Sequence, residues 1–492
     1  MIDLTRNEQA LQKNIDRARE RNIILPTIAQ MRDPQLIPEK IRENLKEVGL
    51  WDINPLNLFR ITWHNEPKEK GGQFGAPNFL VLPKELTGVD AKIICLIGKW
   101  FPTGCHKVGA SFGCLAPRLV TGQFDSTYHK AVWPSTGNYC RGGAFNSKLL
   151  SCYSIAILPA EMSKERFDWL STIASETIAT PGCESNVKEI FDKTWELRKT
   201  RDDCMIFNQF EEMGNHLWHY NVTGPAIEEA YNLINKDGQL NFAGACFTSG
   251  SAGTTAAGDY LKDVFPQAKC ATGEALQCPT LLNNGFGGHR IEGIGDKHVP
   301  WIHNVKNCDM VIDIDDEDSQ QLVRFFNEKD GRDYLIKERH VDPALVEKLD
   351  FLGISGIANV LCCIKFAKYY ELTEKDVVAT VLTDSAVMYD SRVKELQAAD
   401  GEYNPTVAAV RFSRHILDQK TDNMKELTYL DRKTIHNLKY YTWVEQQGRK
   451  TEELNALWYD TEHTWKAVEN QADEIDALIN EFNERTGLLK NM

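Results

Sequence analysis

Four stretches of the 492-residue chain hold residues able to do chemistry. In PTGCHKVGASFG (102–113), Lys107 follows a polar, glycine-containing turn and precedes small residues and a helical run. Near a helix N-terminus, burial and positive potential lower a lysine pKa and free the amine for imine formation, although most lysines are solvated surface groups. In WPSTGNYCRGGA (133–144), Ser135, Thr136, Gly137 and Asn138 form a turn entering a helix. Its N–H groups and two hydroxyls can converge on a carboxylate, and an ordinary capped turn has the same pattern. In FTSGSAGTTAAG (247–258), Gly250 and Gly253 allow close backbone approach, while Ser251, Thr254 and the helix start offer donors to a phosphate. No GK[ST] or G-x-G-x-x-G accompanies it, so it is neither a Walker loop nor a dinucleotide fingerprint. In VVATVLTDS, a strand ends at Asp384 and Ser385. A serine hydroxyl there can bond a heterocycle nitrogen without forcing its protonation.

The elements that must position these loops come from periodicity. Apolar runs at 92–98, 131–133, 153–158, 204–207, 244–247, 309–314 and 376–382 lack alternation, as parallel strands covered on both faces do. Helix-length stretches at 163–178, 226–235 and 319–327 separate them, which gives an α/β class with crossover connections. Ligands in such sheets bind at the carboxyl ends of the strands. Residues 1–52 form an N-terminal helical extension in which Thr5 and Glu8 have capping-box spacing and Leu11, Ile15 and Ala18 share a face. Residues 53–395 form the core, with a smaller subdomain at about 125–225, and 396–492 form a C-terminal helical extension. There Trp458, Thr461, Trp465, Val468, Ala472, Ile475, Ile479 and Phe482 step by three and four along one seam, packed on the chain itself or on a neighbouring subunit.

Composition excludes several classes. Hydrophobic residues at 42% and charged residues at 26% are those of a globular chain with a sizeable core. A net charge of −14 has the wrong sign for nucleic acid or an anionic membrane. Thirteen cysteines without a CxxC pair, a charged N-terminus and no apolar run near ~20 residues indicate reduced thiols in a soluble, cytoplasmic protein.

Lysine, Asn loop, glycine-rich loop and terminal serine occur in the order and rough spacing of one family. Over about 53–395 the chain resembles the fold-type II pyridoxal phosphate enzymes: cysteine synthase, cystathionine β-synthase, the serine and threonine dehydratases and tryptophan synthase β. VTGPAIEEA (222–230) is similar to a cysteine synthase segment and RIEGIGDKHVP (290–300) to one of cystathionine β-synthases. The resemblance implies a two-domain fold with parallel sheets flanked by helices, and pyridoxal 5'-phosphate held by Lys107 as a Schiff base. It also implies Asn138 at the ring's 3′ oxygen, Ser135, Thr136 and Gly137 on the substrate carboxylate, Gly250, Ser251, Ala252, Gly253 and Thr254 on the phosphate, and Ser385 at the ring nitrogen. An uncharged partner there favours prompt loss of a β-substituent. The implied reaction is α,β-elimination, then addition of a thiol or sulfide or hydrolysis to a keto acid and ammonia, by a homodimer without a catalytic metal. Tyr139, Cys140 and Arg141 depart from the sulfhydrylase pattern, and GNYCRGG is similar to diaminopropionate ammonia-lyases, the alternative activity. Arg141 reads as a surface ion-pair residue more than as a contact to a second substrate anion.

Readings from other classes are weaker. GASFG (109–113) matches G-x-S-x-G, but no strand precedes it as a nucleophile elbow requires. Residues 313–324 lack the glycine and glutamate of a calcium loop, having Asp318 and Arg324 at those positions. His216 and His219 lack a third ligand of suitable spacing and read as solvated, and Cys362 and Cys363 read as core. A non-catalytic scaffold is disfavoured by retention of Lys107.

Overall fold

A computed structural model describes residues 1–68, 72–135 and 137–491. Its strands are β1 (Phe79–Leu82), β2 (Lys92–Ile97), β3 (Lys130–Pro134), β4 (Tyr153–Pro159), β5 (Glu176–Thr180), β6 (Cys204–Ile206), β7 (Asn241–Thr248), β8 (Lys269–Ala275), β9 (Met310–Ile314), β10 (Asp376–Leu382) and β11 (Met424–Glu426). They form a seven-stranded sheet of order β1-β2-β10-β7-β8-β9-β11 and a four-stranded sheet of order β5-β4-β3-β6. The inner strands of the large sheet and every strand of the small one pair in parallel. Antiparallel β1 and β11 close the edges of the large sheet. The apolar run of β10 sits inside the large sheet, between β2 and β7, with its last six residues buried, because helices cover both faces.

All seven apolar runs are strands, so the α/β reading with parallel sheets flanked by helices is what the structure contains. Strands β1, β5, β8 and β11 were not expected. The stretch at 163–178 divides: its helix stops at Lys164–Ile173, and Thr177, Ile178 and Thr180 belong to β5 on the edge of the small sheet. β-Branched residues lose rotamer freedom in a helix and fit a pleated edge.

Two helices must start side by side for the site to form, Lys107–Val120 and Asn138–Leu149. A Cβ at Gly142 would lie 2.8 Å from Val108 Cα, so only glycine lets these backbones approach this closely. Asn146 Nδ2 then donates to Val108 O (2.8 Å) and Ser111 Oγ (3.0 Å), which fixes the register between the two first turns.

The terminal segments pack on this same body. The first helix spans Glu8–Glu20 and is capped by Asn7, whose side chain accepts from Ala10 N–H, rather than by Thr5. Leu11, Ile15, Val468, Ala472, Ile475, Ile479 and Phe482 share one buried cluster with Val108, Phe112 and Leu115 of the lysine helix. The C-terminal seam is therefore covered by its own chain, and it is no single rod. It runs through Thr451–Tyr459, a π-turn at Glu462–Lys466 and Ala472–Thr486. Among the described residues no helix is long and apolar enough to cross a membrane.

Candidate active site

The carboxyl ends of six strands point at one cavity. Its lining includes Lys107 after β2, Ser135 and Asn138 after β3, Gln209 and Phe210 after β6, Gly250 and Ser251 after β7, Gly293 and Asp296 after β8, and Thr383 after β10. Lys107 is the first residue of its helix. Its Nζ donates to Gln209 Oε1 (3.1 Å) and Ser251 Oγ (3.3 Å), so the lysine reaches across to the glycine-rich loop. Desolvation lowers the Lys107 amine below the usual lysine range, the direction that raises its share of free amine.

Sequence-expected residues fall into three groups. Lys107, Ser135, Asn138, Gly250 and Ser251 line the cavity together. Ala252, Gly253 and Thr254 continue the loop into the helix Thr255–Val264, with Ala252 left-handed (φ 61°) and Gly253 so near Asn215 that a Cβ would lie 2.1 Å from its Oδ1. Gly137 and Ser385 are adjacent to the lining without being part of it. Gly137 abuts the Arg166 guanidinium, and buried Ser385 lies two residues beyond Thr383. Thr136 lies outside the described residues.

Hydrogen bonds join the loops. Gln209 Nε2 donates to Ser135 Oγ (3.1 Å), and Asn215 Nδ2 donates to Ser251 Oγ (3.1 Å) and Gln209 O (3.1 Å). Asn138 Nδ2 donates to Asp384 Oδ2 (2.7 Å), while Asn138 Oδ1 is buried with no hydrogen-bond partner. Thr383 in the lining, and Asp384 behind Asn138, place the end of β10 where the terminal serine was expected.

Sequence reasoning missed Gln209, Asn215 and Asp296. The first two sit in FNQFEEMGN, which has no motif spacing. Asp296 follows the GIG of RIEGIGDKHVP, a segment noted only as a likeness. It is 6% exposed, its Oδ2 has no hydrogen-bond partner, and burial pushes its carboxyl up to about 7, against the opposing charge of Lys107.

Two readings change and one holds. Arg141 is no surface residue: it is 2% exposed, its guanidinium lies 4.7 Å over Trp169, and burial together with Arg166 lowers it to about 10. His216 and His219 are buried, not solvated. His216 Nε2 lies 3.2 Å from Glu469 Oε1 and 3.8 Å from Asp259 Oδ2, partners that sequence spacing could not reveal. Cys362 and Cys363 are core, as expected.

Behind the cavity a charged cluster joins the small-sheet side to the large. Arg166 Nη1 lies 3.1 Å from Glu292 Oε2 and Nη2 lies 3.9 Å from Asp384 Oδ2. Tyr389 OH donates to Asp384 Oδ2 (2.8 Å), and Arg392 Nε to Glu292 Oε1 (2.8 Å).

Two largely parallel sheets with a desolvated lysine, an Asn turn and a glycine-rich loop meeting at their carboxyl ends define an α/β fold of the fold-type II architecture. No family model matches the chain. A probable cysteine synthase of Bacillus subtilis is 30% identical over 201 residues, covering 41% of this chain and 63% of its own length. The O-acetylserine-dependent cystathionine β-synthase of Helicobacter pylori superimposes with a TM-score of 0.54 at 21% identity, over 64% of this chain and 95% of that one. A hydrogen sulfide-producing enzyme of Fusobacterium nucleatum does so with a TM-score of 0.54 at 22% identity, over 71% and 95%. The chain shares the fold of these solved structures and is similar in sequence to cysteine synthases.

Proposed function

We propose that the chain catalyses α,β-elimination and β-replacement on a β-substituted L-amino acid with pyridoxal 5'-phosphate, as cysteine synthases do, including the reverse release of sulfide from cysteine. The observation that carries this reading is the reach of Lys107 Nζ to Ser251 Oγ, 3.3 Å, which unites imine-forming amine and phosphate loop in one cavity. The residues fit the cofactor. A desolvated amine suits its aldehyde, the start of the helix Thr255–Val264 with Ser251 suits its phosphate, and the Asn138 amide has unused hydrogen-bonding capacity beside them.

When bound, the cofactor supplies an electron sink. Lys107 holds it and moves the proton at Cα. Gly250, Ser251, Ala252, Gly253 and Thr254 bind the phosphate through backbone N–H groups and hydroxyls. Ser135, Thr136 and Gly137 receive the substrate carboxylate, Asn138 orients the ring's 3′ oxygen, and Ser385 meets the ring nitrogen as an uncharged partner. We take the working form to be a cytoplasmic homodimer.

The test is to supply the enzyme separately with cysteine, O-acetylserine plus thiol, serine and diaminopropionate, and to measure sulfide, thioether, pyruvate and ammonia. Sulfide from cysteine and thioether from O-acetylserine are expected. Ammonia from diaminopropionate alone would replace this reading with an ammonia-lyase.

A further inference from the structure

A loop that receives a phosphate needs a fixed position, and Asn215 gives one to residues 250–254. Its amide donates to Ser251 Oγ (3.1 Å), and its Oδ1 stands 2.1 Å from where a Cβ on Gly253 would be. Asn215 rides on the helix Met213–Trp218, six residues long and too short to hold its own geometry in water. The next residue supplies the hold. His216 is fully buried, and its Nε2 lies 3.2 Å from Glu469 Oε1 and 3.8 Å from Asp259 Oδ2. Carboxylates accept, so Nε2 carries the hydrogen, while Nδ1 has no hydrogen-bond partner among the described residues. The two carboxylates come from different places. Asp259 lies on the helix Thr255–Val264 that continues the phosphate loop, oriented by Asn304 Nδ2 at Oδ2 (3.0 Å) and Asn307 Nδ2 at Oδ1 (2.9 Å). Glu469 comes from the C-terminal segment, is 2% exposed, and has Lys466 Nζ 2.9 Å from its Oε2. Neither His216 nor Glu469 lines the lysine cavity.

We propose that Glu469, acting through His216, is a positioning residue for the cofactor's phosphate, so that the C-terminal segment sets cofactor affinity at the phosphate end. This rests on the pyridoxal phosphate reading above. Asn215 and His216 tie one short helix to one loop-and-helix unit at two points, Asn215 to Ser251 and His216 to Asp259. The second tie is loose by itself, because 3.8 Å is longer than a hydrogen bond. Glu469 meets the same Nε2 at hydrogen-bond length and holds the imidazole in place. Without Glu469 the buried N–H has Asp259 as its remaining acceptor, and a buried donor left unmade is costly. Reaching Asp259 turns the imidazole and the helix beneath it, which carries Asn215, one residue away, off Ser251. The displacement falls on the phosphate loop and spares Lys107, whose helix is a separate element.

The test titrates the full chain, stripped of cofactor, with pyridoxal 5'-phosphate and separately with pyridoxal, which lacks the phosphate, and reads imine absorbance. Glu469→Ala should weaken binding of pyridoxal 5'-phosphate about tenfold, the scale of one hydrogen bond to a charged group, and leave pyridoxal within about twofold of wild type. Equal weakening of both ligands, or an unchanged affinity for the phosphorylated one, would overturn the assignment. Should the variant fail to fold, hydrogen exchange on wild type decides. Coupling between sites is reciprocal, so pyridoxal 5'-phosphate should protect the backbone amides at 464–472 more than pyridoxal does, and equal protection contradicts the proposal. A chain that forms an imine with neither ligand would instead defeat the parent reading.

Discussion

Two polar clusters lie side by side in the interior, and they are finished to different degrees. Around Arg166, the carboxylates of Glu292 and Asp384 meet a guanidinium or a phenol, and Arg392 supplies a second cation. Around Lys107, by contrast, the buried Asp296 carboxylate has no ion pair among the described residues; atoms without a hydrogen-bond partner occur in both clusters, Glu292 Oε2 and Asp384 Oδ1 in the first and Asn138 Oδ1, Asn215 Oδ1 and Asp296 Oδ2 in the second. Matched buried charge holds two parts of a chain in one arrangement, whereas an unmatched buried carboxyl is stability forgone at a place where a ligand can restore it. The difference separates a structural joint from a candidate reaction site more sharply than burial does, because both clusters are buried.

The contrast can be broken from either side. Lys107→Ala should reduce turnover to background and abolish the cofactor's imine absorbance without unfolding the chain, checked by activity and circular dichroism. Arg166→Met should leave buried carboxylates uncompensated and lower unfolding free energy by about 3–5 kcal/mol in urea titration. Ile479→Ala, in the C-terminal part of the core shared with the lysine helix, should cost about 2–5 kcal/mol by the same measurement.

Asp296 gives a signed pH effect. Its folded carboxyl lies near 7 against an unfolded value of about 3.9, so the native state binds the extra proton and stability falls as pH rises between those values. Asp296→Asn should flatten that part of the stability profile relative to wild type. The smallest effect is expected at Ser385, where Ser385→Ala would remove the hydrogen bond proposed for the ring nitrogen, about 1 kcal/mol, and should slow turnover roughly fivefold.

The sequence carried the main sheet and half of the site for different reasons. Strands such as β10 and β4 are uniformly apolar, so burial on both faces was visible without any partner. β5 and β8 were not, because ETIAT is short and exposed at an edge and KCATGEA owes its burial to neighbours. Lys107, Asn138 and the Gly250 loop stood out through turn-to-helix chemistry that repeats in one family. Gln209, Asn215 and Asp296 act through distances between loops far apart in sequence, and Arg141 looked like a surface residue because nothing local announces Trp169 above it. The C-terminal periodicity was correct in phase, yet the chain's own core covers the seam.

The central claim is that Lys107 is the amine that carries pyridoxal phosphate. Borohydride reduction of the purified protein followed by peptide mapping tests it directly. A single pyridoxyl label on the peptide containing Lys107 is the predicted result, and a label on another lysine, or none, would contradict it.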